Sequence, residues 1–272
     1  MRTGRILPII VVSQFLCTSL WFAGNAVMGS LANDFQLAAT ALGHITSSVL
    51  LGFITGTLVY AVFNIADRFS PSWVFLLSAI AGALFNMGII LEGMDLTKLL
   101  FFRFLTGFFI AGVYPVGMKI AADYYQQGLG KSLGFLVGAL VLGTAFPHLL
   151  TGFAETLPWR FVLVFTSGLA VLGGFLIVVL VPNGPYRTPR TQLELAVLFT
   201  VFKRRDFRAA AFGYFGHMWE LFAFWAFVPV ILSTYVTYYP ETDFNVSLLS
   251  FLIIGVGGIA CVLAGYVSQK LG

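Results

Sequence analysis

Apolar runs of about 20 residues recur along the whole sequence, and each is long enough to cross the hydrocarbon layer of a membrane as a helix. Lipid offers the backbone no hydrogen-bond partners, so a run in lipid must be helical. The runs are continuous and do not alternate, which disfavours a β-barrel. We therefore predict an all-α integral membrane protein with eight spans, at residues 6–31, 44–64, 73–91, 98–118, 132–151, 160–181, 209–232 and 247–267.

Composition favours a membrane protein over other classes. Of 272 residues, 59% are hydrophobic and 10% are charged, and a soluble domain of this size could not bury so much apolar surface. The net charge is +4, but the basic residues form no single patch, so we expect no nucleic-acid partner. Cys17 and Cys261 lie in predicted spans, which favours buried thiols over disulfides. The sequence contains no metal-ligand cluster, phosphate-binding loop or nucleophile elbow, so we predict no metal, no cofactor and no enzymatic activity.

The basic residues indicate an orientation. With the N-terminus in the cytoplasm, 12 of the 15 Lys and Arg residues fall on the inner side, as the positive-inside rule requires. The apolar run after residues 1–5 is longer than a usual signal core, which indicates an uncleaved first span. The short loops favour a bacterial inner membrane.

The segment 182–208 differs from the spans. It is rich in Pro and carries a short apolar stretch, 193–202, flanked by cations, which predicts a cytoplasmic linker with an interfacial helix. We expect a six-helix bundle at 1–181 before this linker and the first two helices of a second bundle at 209–272 after it.

Two related polar turns follow the second and the eighth predicted spans. The turns are residues 64–70 and 265–272, and Asp67 and Gln269 stand 202 positions apart. The preceding spans carry matched small residues, Ser48 and Gly56 in the first and Ser250 and Gly258 in the second. Equivalent helix pairs 202 positions apart indicate an internal duplication.

The first turn resembles the signature loop of the Major Facilitator Superfamily, whose pattern is roughly Gly-x-Leu-Ala-Asp-Arg-x-Gly-Arg. Asp67 and Arg68 fit this pattern, whereas Phe63, Ser70 and Pro71 replace its two Gly residues and its final basic residue. An acid beside a helix end and a cation on the turn can latch two helices on the cytoplasmic side.

The second turn matches the same loop less well. Gly265 and Gly272 fit, Lys270 replaces Arg, and Gln269 replaces Asp. The fourth span contains Arg103 and Gly107, followed by Ala111-Gly112 and Pro115. This is similar to a family pattern often seen in proton-coupled members.

The resemblance implies a secondary transporter. Members normally have twelve helices, so we expect this chain to be the N-terminal eight-helix part of one: the first six-helix half plus two helices of the second. The fifth span lacks the compact Gly-Pro pair of drug/proton antiporters, which weakens a drug-efflux interpretation. Small residues such as Gly107, Gly134 and Gly138 are expected where helices pack closely.

Glu220 is the clearest candidate for chemistry, because a charged group near the centre of a span is costly and is therefore often functional. His217 lies one turn earlier on the same side. Glu220 could carry a proton, since changing surroundings would change its affinity for one. The alternative is a neutral Glu220 that hydrogen-bonds to His217 or Trp219 as structural support.

Arg103 is the second candidate, and Tyr114 follows it by nearly three helical turns. Arg103 could bind an anionic substrate or set the protonation of an acid, or it could snorkel to the outer interface. Trp21 and Asn25 are four residues apart on the first span, which lines the cavity in the family, so both could contact substrate. Asn25 could instead form an interhelical hydrogen bond.

We therefore expect a proton-linked carrier of a small organic solute, working by alternating access, with organic anions slightly favoured because of Arg103. Its partners would be a small-molecule substrate, protons and the lipid bilayer, and the oligomeric state is left open. The alternatives are a truncated, non-transporting membrane protein and a multidrug/proton efflux member.

Overall fold

The computed structural model describes residues 5–38, 40–125, 128–153, 158–187 and 200–271, with only the backbone at 270 and 271. Within these residues the chain is helical and contains no strand. The helices are α1 (Ile6–Thr18), α2 (Ala23–Ala26), α3 (Met28–Asp34), α4 (Ala41–Val62), α5 (Ile65–Arg68), α6 (Pro71–Gly88), α7 (Leu96–Ile110), α8 (Tyr114–Ala122), α9 (Leu129–Phe153), α10 (Trp159–Leu180), α11 (Arg205–Tyr238) and α12 (Val246–Leu271). Most of the predicted interfacial helix at 193–202, and Gly272, lie outside the described residues.

Seven helices of the described chain are long and apolar enough to cross a membrane, counting α7 and α8 as one segment of 27 residues. The first predicted span is the exception. Residues 6–31 do not form one continuous helix, because the chain leaves helical geometry between Thr18 and Ala23. The prediction of an unbroken first span is therefore wrong, although its apolar first part is the 13-residue α1.

Helix α1 packs against α8, α9 and α10. Ile10 and Cys17 are fully buried in this contact. The thiol of Cys17 donates a hydrogen bond to the Ala170 carbonyl on α10 at 3.2 Å, which confirms the expected buried thiol. The segment that follows α1 therefore begins deep inside the helices that surround it.

Glycines bring α4 and α7 into backbone contact. A Cβ at Gly107 would overlap the Val49 carbonyl oxygen and lie 2.8 Å from its carbon. On the facing helix, a Cβ at Gly52 or Gly56 would overlap the carbonyl oxygens of Phe104 and Phe108. The predicted role of small residues in close helix packing is confirmed at this crossing.

A second glycine seam joins α9 to α12. A Cβ at Gly134 would lie 2.9 Å from both the Cys261 carbonyl oxygen and the Gly265 Cα. One at Gly138 would lie 2.9 Å from the Gly258 carbonyl oxygen. This seam links a helix that precedes the predicted linker to one that follows it.

The first polar turn forms the short helix α5, which is held by charged groups from two other segments. Asp67 Oδ1 lies 2.8 Å from Lys119 Nζ on α8, and Lys119 also contacts Asp123 at 3.4 Å. Arg187, which follows α10, donates from Nη2 to the carbonyl oxygen of Phe69 at 2.8 Å. A latch of the expected kind is present, but its cation is Lys119, whereas Arg68 is exposed.

The second polar turn is not a turn in the structure. Residues 265–271 continue α12 as a helix, contrary to the prediction. The first turn begins at Asn64, whose φ is +51°, a left-handed conformation that Asn tolerates better than most residues. The equivalent position 202 residues later is Tyr266, which does not favour that conformation. Lys270, whose side chain lies outside the described part, belongs to this helical segment.

The ion pair between Asp67 and Lys119 is expected to stabilise the fold by about 1 kcal/mol, because its side chains are 18% and 23% exposed. A double-mutant cycle with Asp67→Asn and Lys119→Met, read by thermal unfolding in detergent, measures this coupling. The pair between Asp95 and Lys98, whose side chains are more than half exposed, is the control and should couple more weakly. Equal coupling in the two cycles would contradict the latch.

Candidate functional site

The break after α1 leaves buried backbone carbonyls outside any helix, and Arg103 on α7 donates hydrogen bonds to them. Arg103 Nη1 donates to the Leu20 carbonyl oxygen at 3.2 Å, and Nη2 donates to that of Trp21. Leu20 and Trp21 lie between α1 and α2, outside both helices. A buried carbonyl needs a hydrogen-bond partner, and the guanidinium of Arg103 supplies one to each of these two.

Arg103 is fully buried, so the alternative of a snorkelling side chain is wrong. Its Nη1 also donates to Asn86 Oδ1 on α6 at 3.4 Å. Asn86 in turn donates to the Leu163 carbonyl oxygen at 3.2 Å and to Ser167 Oγ at 3.1 Å, both on α10. Recognition of an anion by Arg103 stays a prediction, and any anion would have to compete with the carbonyls of Leu20 and Trp21.

The broken segment directs aromatic side chains toward α4 and α11. The Trp21 ring stacks on Phe222 of α11, with centroids 5.4 Å apart, and contacts Phe53 of α4 at 4.6 Å. Phe22 meets Trp225 of α11 edge to face at 6.4 Å, and Phe222 meets Trp225 at 5.4 Å. We call Trp21, Phe22, Phe53, Phe222 and Trp225 the aromatic cluster.

Two polar atoms beside this cluster are buried without a hydrogen-bond partner. They are the indole Nε1 of Trp21 and the Oδ1 of Asn25. Asn25 Nδ2 donates to Thr46 Oγ1 on α4 at 2.7 Å, which is the interhelical hydrogen bond considered above. Trp21 and Asn25 do not share a helical face, because residues 19–22 are not helical. Trp21 is 1% exposed, so its indole N–H is enclosed by the protein in this structure.

Glu220 and His217 lie near the middle of α11, a helix of 34 residues. Both side chains are exposed in the structure, and among the described residues neither has a recorded hydrogen bond or ion pair. Glu220 is two residues before Phe222 and so projects from the opposite side of α11. The structure does not bring Glu220 together with Arg103, and its proposed role in proton transfer stays a prediction.

Tyr114 begins α8, directly after the interruption at residues 111–113. It packs against the buried core. Among the described residues no hydrogen bond joins Tyr114 to Arg103, so the structure does not bring the two residues into one site.

The residues that complete the site include several that the sequence pattern did not single out. Asn86 had a signal, since an Asn within an apolar span needs partners. Phe222 had none, because 29 Phe residues are spread over the spans. Trp225 had none, because an aromatic residue in an apolar span is equally expected to face lipid. From the sequence, Lys119 could be predicted only as one of the basic residues on the cytoplasmic side, without its partner Asp67.

Comparisons with known proteins agree with this fold. The sequence model of the Major Facilitator Superfamily matches residues 10–272 of the chain. The niacin transporter NiaP of Acinetobacter baylyi is 28% identical in an alignment of length 211 that covers 68% of this chain and 45% of that protein. The chain thus spans less than half the length of this curated relative.

Two solved structures share the fold. The proton:xylose symporter XylE superposes with a TM-score of 0.66 at 16% identity, over 99% of this chain and 70% of its own. A bacterial homologue of the human lysosomal transporter Spinster superposes with a TM-score of 0.63 at 15% identity, over 97% of this chain and 74% of its own. With seven long apolar helices, the chain is an integral multi-pass membrane protein.

Proposed function

Because the chain belongs to the Major Facilitator Superfamily, we propose that it carries the substrate site of a secondary transporter for a small organic solute. The observation that supports this proposal best is the aromatic cluster. It lies at a break in a membrane-spanning segment, and discontinuous helices form the substrate sites of many transporters. The unpartnered Trp21 indole N–H adds a hydrogen-bond donor to this apolar surface.

The cluster also lies between the two units expected for alternating access. Trp21, Phe22 and Phe53 belong to the proposed bundle at 1–181, and Phe222 and Trp225 belong to the proposed second unit at 209–272. The linker at 182–208 joins the two. Rocking of one unit against the other would separate the stacked rings of Trp21 and Phe222, and a planar solute could then enter between them.

A small aromatic anion is the substrate class that this surface favours. Aromatic faces bind planar rings by offset stacking, and the indole N–H can donate to a carboxylate. The relative NiaP is named as a transporter of niacin, which is an aromatic carboxylic acid. We infer that protons are the coupling ion, with Glu220 as carrier; XylE is described as a proton symporter. The N-terminus would face the cytoplasm of a bacterial inner membrane.

Uptake into liposomes tests this function. The chain would be reconstituted alone and in a version extended to twelve helices, with a pH dye inside and an imposed proton gradient. Aromatic carboxylates, aliphatic carboxylates, xylose and cationic drugs would be offered separately. We expect proton flux with aromatic carboxylates. Flux with none of the four classes in either version would contradict the proposal and favour the non-transporting alternative.

The variant Trp21→Ala is expected to weaken binding of the transported solute about tenfold or more, because it removes both the stacking face and the N–H donor. The control is Trp73→Ala, because Trp73 is 54% exposed on α6 and lies outside the cluster. Half-saturation concentrations for uptake by the two variants give the comparison. Equal values would exclude Trp21 from the substrate site.

A further inference from the structure

We propose that Arg103 is a positioning residue: it holds the first membrane-spanning segment broken at residues 19–22 and thereby directs Trp21 and Phe22 toward α11. The proposal concerns the shape of this segment. It rests on the proposed function only where transport is used as a second measurement.

The local sequence does not require a break at this point. Sharp interruptions of helices usually occur at Pro, at Gly and Ser pairs, or where a side chain enters the hydrogen-bond ladder. The residues between α1 and α2 are Ser19, Leu20, Trp21 and Phe22, and the next Pro along the chain is Pro71. The hydroxyls of Thr18 and Ser19 donate to the carbonyls of Gln14 and Leu16, which can bend a helix. Arg103 is the side chain from another helix that binds carbonyls within the break.

One guanidinium binds two successive carbonyl groups and so fixes two peptide planes at once. Nη1 donates a hydrogen bond to the Leu20 oxygen, and Nη2 donates one to the Trp21 oxygen. A carbonyl without a hydrogen-bond partner inside the membrane is strongly unfavourable. Without Arg103, these carbonyls would regain partners most simply if α1 continued through residues 19–22 as a helix.

The surroundings of Arg103 are built for this contact. Asn86 accepts a hydrogen bond from Nη1. Its own amide donates to Leu163, Thr166 and Ser167 on α10, which limits where the guanidinium can lie. Gly24 leaves room on the other side, since a Cβ there would lie 3.3 Å from both Cδ and Nε of Arg103. No acidic side chain is hydrogen-bonded to Arg103 among the described residues, so carbonyls and Asn86 supply its recorded hydrogen bonds.

The break decides which way the aromatic rings point. Each residue added to a helix turns the next side chain by about 100° around the axis. If residues 19–22 became helical, Trp21 and Phe22 would rotate away from their present partners, Phe222 and Trp225. Arg103 therefore acts on the aromatic cluster through the backbone, without touching those two rings of α11.

Spin-label distances across the break test the proposal directly. Labels at Val12 and Ser30, both exposed positions, would be placed in a background with Cys17→Ala and Cys261→Ala. In a continuous helix these positions would be about 27 Å apart along the axis. Pulsed electron paramagnetic resonance on the reconstituted chain should give a distance between the labels that is shorter than this value. Arg103→Met should move the distance distribution toward the value of a continuous helix.

Three further variants sharpen the test. Arg103→Lys should give an intermediate distribution, because a single ammonium cannot match the planar fork, and it remains informative if Arg103→Met fails to fold. Gly24→Ala should shift the distribution slightly in the same direction. The control Thr106→Val removes a buried hydroxyl of α7 that bonds only within its own helix, and it should leave the distance unchanged.

Transport gives the second measurement. Arg103→Met should raise the half-saturation concentration of whichever solute is carried more than it lowers the maximal rate. An unchanged distance distribution in folded Arg103→Met and Arg103→Lys would overturn the proposal. A shifted distribution with no transport in any form, including the unmodified protein, would leave Arg103 as a positioning residue and count against the proposed function alone.

Discussion

Replacing Gly107 by alanine is expected to destabilise the protein by about 3 kcal/mol, toward the upper end of the range for overpacked interiors. The added methyl would overlap the Val49 carbonyl oxygen on α4. A flexible side chain could move aside, but this neighbour is helix backbone, so α4 and α7 would have to separate. Separation would also loosen the contacts at Gly52 and Gly56 on the facing helix.

The matched control for Gly107→Ala is Gly168→Ala on α10, where an added methyl would meet no atom within 4 Å. This second variant should be neutral, or more stable by up to about 1 kcal/mol, because alanine favours helices. Thermal unfolding of both proteins in the same detergent gives the comparison. Equal melting temperatures would show that α4 and α7 are not held together by backbone contact.

Glu220→Gln is expected to lower uptake driven by a proton gradient by more than about tenfold, while solute exchange without a gradient continues. The reason is position: within residues 209–238, Glu220 is the only Asp, Glu, Lys or Arg. Glutamine keeps the size and polarity of the side chain but cannot release a proton. The measurement is the ratio of gradient-driven uptake to exchange in liposomes.

The control for Glu220→Gln is Glu241→Gln, since Glu241 is exposed in the connection between α11 and α12. Its removal changes the net charge by the same amount and should leave the ratio unchanged. If Glu220→Gln kept the full response to the gradient, proton transfer by this residue would be ruled out.

The parts of the fold that could be predicted from the sequence depend on short-range patterns. Apolar run length identified the membrane-crossing helices from α4 to α12, since lipid allows the backbone few other structures. Small residues identified the close crossings at Gly107 and Gly134, because packing in lipid depends on close approach. Arg103 stood out as a cation inside a span.

The parts that could not be predicted depend on contacts between distant residues. The break at 19–22 has only a weak local signal, Ser19. It lies where a guanidinium from α7 meets carbonyls 82 and 83 positions earlier, a contact that the local sequence does not reveal. The partner of Asp67 was missed for the same reason, since Lys119 lies on another helix. The prediction of a second turn was wrong because Tyr266 stands where the first turn has Asn64. Hydropathy does not show that the two residues differ in the backbone conformations they favour.

The seam between α9 and α12 affects how readily one helix can move along the other. Most helix pairs are locked in register, because side chains from one fit into gaps on the other and must leave them before either helix slides. Where Gly134 and Gly138 meet Gly258 and Gly265, backbone lies against backbone, and the side chains of Leu142 and Val262 pack beside the glycines. Movement of α12 along α9 would therefore have to displace Leu142 and Val262. Any larger residue at the four glycine positions would hold the two helices further apart.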